Sequence, residues 1–263
     1  MGNRMRVRTF GTGVPVVSIP GLAGGSGMFD GIHRVMAGAG CRVLALDLAG
    51  DRWDQWVPAL SFEGYVEQLD QLWQRELGAP AILMGTSFGS LLALEALAAR
   101  PDRWRALILV SPPLPPPLPG LGHRVRRAIR SWGGHRAVCG AATAVFFAMV
   151  AWEGIHPVTL WRARAQLDAI ADARTPAKTI DEKLRLLYDV WKPERLPRSD
   201  QPALLLRGAL DPISRRAAPQ LLSGYLSRLE AREIPWAGHA LHVSRPKVLA
   251  SALLEFTQRQ DAG

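Results

Sequence analysis

The stretch Ala81-Ile-Leu-Met-Gly-Thr-Ser-Phe-Gly-Ser-Leu-Leu-Ala-Leu-Glu-Ala-Leu-Ala-Ala-Arg100 divides at a single serine. A short apolar run, Ala81 to Met84, enters the pentapeptide Gly85-Thr86-Ser87-Phe88-Gly89, and a run of Leu and Ala with high helix propensity leaves it. The pattern predicts a buried strand turning sharply into a buried helix, with Ser87 at the corner. Glycines on both sides of the corner let neighbouring backbone approach a turn that holds the serine in strained dihedrals and lifts its hydroxyl above the sheet. The bland alternative is a small-residue turn with no chemistry. Correct flanks on both sides favour a nucleophile.

Working outward, Arg4 to Phe10 and Val14 to Ile19 read as strands joined through Gly11-Thr12-Gly13, a hairpin turn. The second strand ends in Pro20-Gly-Leu-Ala-Gly-Gly-Ser-Gly27, which matches neither phosphate-binding glycine pattern but supplies bare backbone N–H groups. Met28 to Ala39 is a helix, Arg42 to Asp47 a buried strand, and Leu48 to Trp56 a loop. Ser61 can cap an amphipathic helix running to about Leu77, with Phe62, Tyr65, Val66, Leu69 and Leu72/Trp73 on one face. After Arg100-Pro101-Asp102 comes another apolar strand, Ala106 to Val110. Such alternation implies an α/β domain with a mostly parallel sheet flanked by helices.

The proline-rich run Ser111 to Gly120 breaks this rhythm. From Leu121 to about Pro197 the chain reads as helical. It opens basic (Arg124, Arg126, Arg127, Arg130, Arg136) and passes into the apolar stretch Cys139 to Trp152, too short to cross a bilayer. Alternation resumes with a strand at Ala203 to Arg207, a helix around Arg215 to Leu226, a strand at Leu229 to Ile234, and a closing helix from Pro246 to Gln258.

Composition narrows the function classes. A chain of 263 residues, 48% hydrophobic and 21% charged, is that of a soluble globular protein. Its two cysteines, Cys41 and Cys139, lie far apart in no metal-binding spacing, which fits a reduced, cytoplasmic setting. The histidines form no zinc motif, so neither metal nor cofactor is expected. The basic N-terminus precedes too short an apolar run for a secretory signal. Net charge is +9, but the arginines are scattered and no nucleic-acid-binding motif accompanies them; a nucleic-acid partner is not expected.

A serine hydroxyl is a weak nucleophile unless a base takes its proton, and the base needs a third group to fix its tautomer. Ser87, Asp211 and His239 each stand just past a strand, and in a parallel sheet the carboxyl ends of strands share one edge, where distant residues converge. His242 is a rival base, read as a hydrogen-bonded neighbour; the Gly238-His239 setting favours His239. Asp211 before Pro212 also suits a plain turn.

With those residues in order, the sequence resembles the α/β-hydrolase superfamily, whose triad runs nucleophile, acid, histidine. The resemblance covers residues of about 5 to 111 and 198 to 258, and implies a core of residues 1–111 and 198–263 with a helical cap inserted at 112–197. It also implies an oxyanion hole formed by the backbone N–H groups of Leu22 and Phe88. Departures from the family pattern are Pro20 where His is frequent, Thr86 before the nucleophile, Ser244 in the histidine loop, and a loop after Asp47 that keeps Gly50 but not the usual Gly-x-Gly-x-Ser.

The expected function is therefore cleavage of an ester or thioester with an apolar acyl or alcohol part, the apolar stretch in the cap suggesting such a small-molecule substrate. Alternatives on the same fold are acyl transfer, C–C bond hydrolysis, a lyase, or non-catalytic binding of a ligand or partner. Trp132, Trp152 and Trp161 are either core or pocket lining. The arginines at 124 to 136 are either a solvated helix face or an anion site.

Overall fold

In a computed structural model, which describes residues 5–23, 25–51, 60–116, 119–131, 175–196 and 198–261, the expected strands form one sheet. They are β1 (Arg6–Phe10), β2 (Val14–Ile19), β3 (Cys41–Asp47), β4 (Ala81–Thr86), β5 (Trp104–Val110), β6 (Ala203–Gly208) and β7 (Leu229–Ile234), in the order β1-β3-β2-β4-β5-β6-β7. Only the β1–β3 pairing is antiparallel.

Every residue of β4 and β6 is buried, because helices cover both faces of the sheet. Successive side chains on a strand point to opposite faces, and the two hydrophobic layers follow that period. Val17, Leu83, Leu107 and Leu205 pack with α2 (Phe62–Glu76) and α3 (Phe88–Ala99). Their neighbours Val16, Ile82, Ile108 and Leu204 pack on the other face with α1 (Asp30–Gly38) and the long C-terminal helix Pro246–Asp261. Burying each such side chain stabilises the fold by about 1.5–3 kcal/mol. Ser61 caps α2 as expected, accepting a hydrogen bond from Gly64 N at 3.0 Å.

The hairpin expected between the first two strands does not form. β3 lies between β1 and β2, and the connection crosses the start of β3, where Val14 N donates to Gly40 O at 3.0 Å. Gly11 (φ +68°) and Gly13 (φ +105°) make the crossing possible: a Cβ on Gly13 would lie 2.2 Å from Gly40 O. The apolar β3 takes the place beside β2, and the half-exposed β1 suits the outer edge. The helix expected at Arg215 to Leu226 contracts to Ala218–Ser223.

Between β5 and β6 the described residues include α4 (Pro119–Ser131) and α5 (Ala177–Arg185), the latter continuing through a wide turn at Leu186–Val190. α4 meets that turn at Gly122, where a Cβ would lie 2.3 Å from the Tyr188 ring. The apolar stretch 139–152, Arg136, and the tryptophans Trp132, Trp152 and Trp161 lie outside the described residues. Among the described residues no helix is long and apolar enough to cross a membrane.

Candidate active site

β4 ends at Thr86 and α3 begins at Phe88, leaving Ser87 alone at φ 50°, ψ −120°. Such a conformation costs about 1–3 kcal/mol and persists only where the surroundings over-determine it. Here Ser87 N donates to Val110 O at 2.8 Å and Ser90 Oγ donates to Gly85 O at 2.8 Å, tying the corner to the next strand and to itself. Backbone close approach accounts for the flanking glycines: a Cβ on Gly85 would lie 2.3 Å from Gly89 O, and one on Gly89 2.4 Å from Pro20 O.

Asp211 follows β6 in a tight loop. Its Oδ1 accepts from Ile213 N at 2.8 Å and from Ser214 N at 2.9 Å, and the buried Arg207 braces the loop by donating to Ser214 O at 3.0 Å. Asp211 Oδ2 lies 2.9 Å from His239 Nδ1, and His239 Nε2 lies 2.9 Å from Ser87 Oγ. Burial pushes the Asp211 carboxyl up, but the charge and hydrogen bond of His239, with the two backbone N–H groups, outweigh it and leave the carboxyl below its ordinary value. An ionised Asp211 accepts the Nδ1 proton, so His239 Nε2 is left to accept from the Ser87 hydroxyl. The structure thus brings Ser87, Asp211 and His239 into one hydrogen-bonded line.

His242 does not share that line. Its ring lies 4.3 Å from that of Phe29, and its buried Nε2 has no hydrogen-bond partner among the described residues. Burial, with the positive charges of His239 and His33 acting against protonation, lowers its pKa to about 3.

The glycine-rich loop after β2 lies against the serine: a Cβ on Gly21 would sit 3.4 Å from Ser87 Cβ. Its far side is held by Asp47, at the end of β3, whose Oδ1 accepts from Ser26 N at 2.7 Å. Gly25 passes so close, at φ +58°, that a Cβ would lie 2.4 Å from the same oxygen. Leu22 and Phe88 therefore flank Ser87, one from this loop and one from the first turn of α3.

A family model described as the alpha/beta hydrolase fold matches residues 14–246. The chain belongs to the α/β-hydrolase family. Among solved structures, this α/β-hydrolase is similar to a thermophilic esterase from Thermogutta terrifontis, with 21% identity and a TM-score of 0.82 over 97% of this chain and 93% of that one. It is also similar to a bromoperoxidase from Bacillus anthracis, with 19% identity and a TM-score of 0.81 over 97% and 95% of the two chains. A curated relative, the lipase LipV of Mycobacterium tuberculosis, is 33% identical over 70 residues; the match spans 27% of this chain and 27% of that one.

Sequence reasoning missed a feature that this α/β-hydrolase builds beside the glycine-rich loop. Lys183 of α5 pairs with Asp51, both side chains at 0% exposure, and also points to Leu22 O at 3.4 Å. Asp51 Oδ2 accepts from Leu48 N at 3.0 Å, and its backbone carbonyl accepts from Thr175 Oγ1 at 2.8 Å. Burial pushes the Asp51 carboxyl up, and the Lys183 ammonium opposes the shift without cancelling it. Desolvating such a pair costs several kcal/mol per ion, so its place calls for a reason. With the partners 132 positions apart in sequence, no local signal could have joined them.

The basic helix is only in part the solvated face expected of it. Arg126 is buried and donates to Asp181 at 3.0 Å and to Asp189, while Arg130 donates to Asp181 at 2.9 Å. These two arginines fasten α4 to α5 and the turn beyond it, whereas Arg124 and Arg127 are exposed. Among the described residues no group of His, Cys, Asp and Glu is arranged to hold a metal.

Proposed function

We propose that the protein is a serine hydrolase that cleaves a carboxylic ester or thioester with an apolar acyl or alcohol part. The observation that carries this reading is the unbroken hydrogen-bonded line from Ser87 Oγ through His239 to Asp211, with 2.9 Å at each end. Heavy-atom separations of this length are those a general base needs to take a hydroxyl proton.

Ser87 Oγ attacks the acyl carbon while its proton passes to His239 Nε2, and Asp211 stabilises the imidazolium. The carbonyl oxygen becomes an oxyanion, held by the N–H groups of Leu22 and Phe88; removing one such donor from a hydrolase typically costs about 10²–10³ in rate. Collapse breaks the bond to the leaving oxygen or sulfur, which takes the proton from His239. Water then adds to the acyl-enzyme, giving its proton to His239, and the acid departs as Ser87 recovers its hydrogen.

The fold shared with an esterase and the short match to a lipase support an ester substrate. The apolar run 139–152 supports an apolar acyl or alcohol part. A second reading, transfer of the acyl group to a nucleophile other than water, draws on the likeness to a bromoperoxidase, whose name denotes a different reaction.

Stoichiometric labelling by a fluorophosphonate, followed by intact mass, tests the reading. Wild type takes up one equivalent and Ser87→Ala and His239→Ala take up none. A folded wild type that stays unlabelled refutes an activated serine. Esters of graded chain length test the apolar part: preference for short polar esters counts against it. Partition of the acyl-enzyme between water and added alcohols separates hydrolysis from transfer.

A further inference from the structure

Among the described residues, Lys183 is the one residue of α5 with a polar contact to the glycine-rich loop. An ammonium has three N–H donors. This one faces the Asp51 carboxylate, the Leu22 carbonyl at 3.4 Å, and the Phe88 ring, with Nζ 5.4 Å from its centroid. Leu22 and Phe88 are the residues whose N–H groups serve the oxyanion in the reaction proposed above. Two other polar links between this segment and the core do not reach the glycine-rich loop: Thr175 donates to Asp51 O and Arg185 to Leu60 O.

The loop carrying Leu22 has little conformational preference of its own, with Gly21 on one side and Gly25 at φ +58° on the other. Its far end is held by the hydrogen bond from Ser26 N to Asp47. The end nearest Ser87 needs a second tether, and a lysine fixed by a buried carboxylate supplies a directional one that an apolar side chain of equal volume would not.

We propose that Lys183, held in place by Asp51, is a positioning residue for the oxyanion hole, fixing the backbone at Leu22 and the ring at Phe88 so that their N–H groups stay aimed at the developing charge. This inference rests on the serine-hydrolase reading. Donors that act only on the developing oxyanion raise kcat and leave substrate binding almost unchanged.

The test compares Lys183→Met and the doubly neutral Asp51→Asn/Lys183→Met with a docking control, Arg185→Ala, which cuts the link to Leu60 and leaves Asp51 and Lys183 in place. Readouts are the rate of fluorophosphonate labelling, kcat and KM on an activated ester, and Tm. The expected result is a loss of about 10- to 100-fold in labelling rate and kcat for both Lys183 variants. Their KM stays within about 3-fold of wild type, and the docking control keeps its labelling rate even where its Tm falls. The double variant carries no unpaired buried charge, so it keeps the comparison open if the single variant does not fold. Wild-type labelling rates in the Lys183 variants, or an equal loss in the docking control, overturn the positioning role and leave the serine reading standing. A folded wild type that takes no label overturns both.

Discussion

Replacing Gly208 by alanine probes how the acid and histidine loops are held together. Gly208 closes β6 without a left-handed φ, so the demand is for space alone. A Cβ there would lie 2.2 Å from Ala237 O and 2.3 Å from Gly238 O. Ordinary contact is about 3.4 Å, so one loop must retreat by about 1 Å. The obstructing atoms are backbone, and they are tied to the acid loop itself: Leu210 N donates to Ala237 O at 2.9 Å and Ala209 N to Ile234 O at 2.9 Å. The displacement therefore travels to His239, whose Nε2 now sits 2.9 Å from Ser87 Oγ, and a retreat of that size takes it beyond hydrogen-bond reach. Misplacement of a catalytic group by about 1 Å costs about 10²-fold in rate. Overpacking costs about 1–3 kcal/mol, offset by about 0.4–1 kcal/mol from the stiffer unfolded chain. At the midpoints of those ranges the net loss is about 1.3 kcal/mol, and Tm should fall by about 3–5 °C for a chain of this size. The assay is fluorophosphonate labelling rate beside a thermal melt. A Gly208→Ala protein that labels at the wild-type rate with an unchanged Tm would refute the reasoning.

Four further outcomes are expected. Asp211→Asn leaves His239 in the wrong tautomer and should cut the labelling rate by about 10⁴. The folded-state pKa of Asp211 lies below its ordinary 3.8, so its share of stability is present above that value and lost as pH falls through the lower one; urea unfolding should show the gap between wild type and Asp211→Asn narrowing only below about pH 4. His33 is the opposite case: burial, the leading cause, lowers its pKa from 6.5 to about 4, so the unfolded chain binds the proton first and stability falls as pH drops below 6.5. That one group should cost about 2 kcal/mol between pH 7 and pH 5, and an equal loss in His33→Gln would rule the assignment out. Ser61→Ala removes the cap of α2 and should lower stability by about 1 kcal/mol, a Tm change of about 2–4 °C; no change in the melt would mean the cap contributes nothing.

The candidate site was legible in the sequence to the extent that it is built from local rules. Strand ends, glycines at a tight corner and the position of each polar residue after its strand are all short-range features, and they placed Ser87, Asp211 and His239 on one edge before any contact was known. His242 shows where that stops. It was read as a hydrogen-bonded neighbour, yet the Phe29 ring brought by another element packs on it and its Nε2 finds no partner among the described residues. The arginine helix shows the same limit, because Asp181 and Asp189, which bind Arg126, are supplied from beyond the undescribed stretch.

By itself, then, the sequence determined the alternation of buried strands and helices, the strained serine corner and the three residues aligned at the strand ends, since periodicity, capping and glycine conformation act within a few residues. Tertiary structure alone decided that β1 takes the outer edge beside β3, that Arg126 and Arg130 fasten helices to one another, and that Lys183 and Asp51 meet beside the glycine-rich loop. The physical reason is common to all three: strand pairing and buried charge pairing satisfy groups far apart in the chain, and the partner is selected by which surfaces remain to be covered once the local elements have packed.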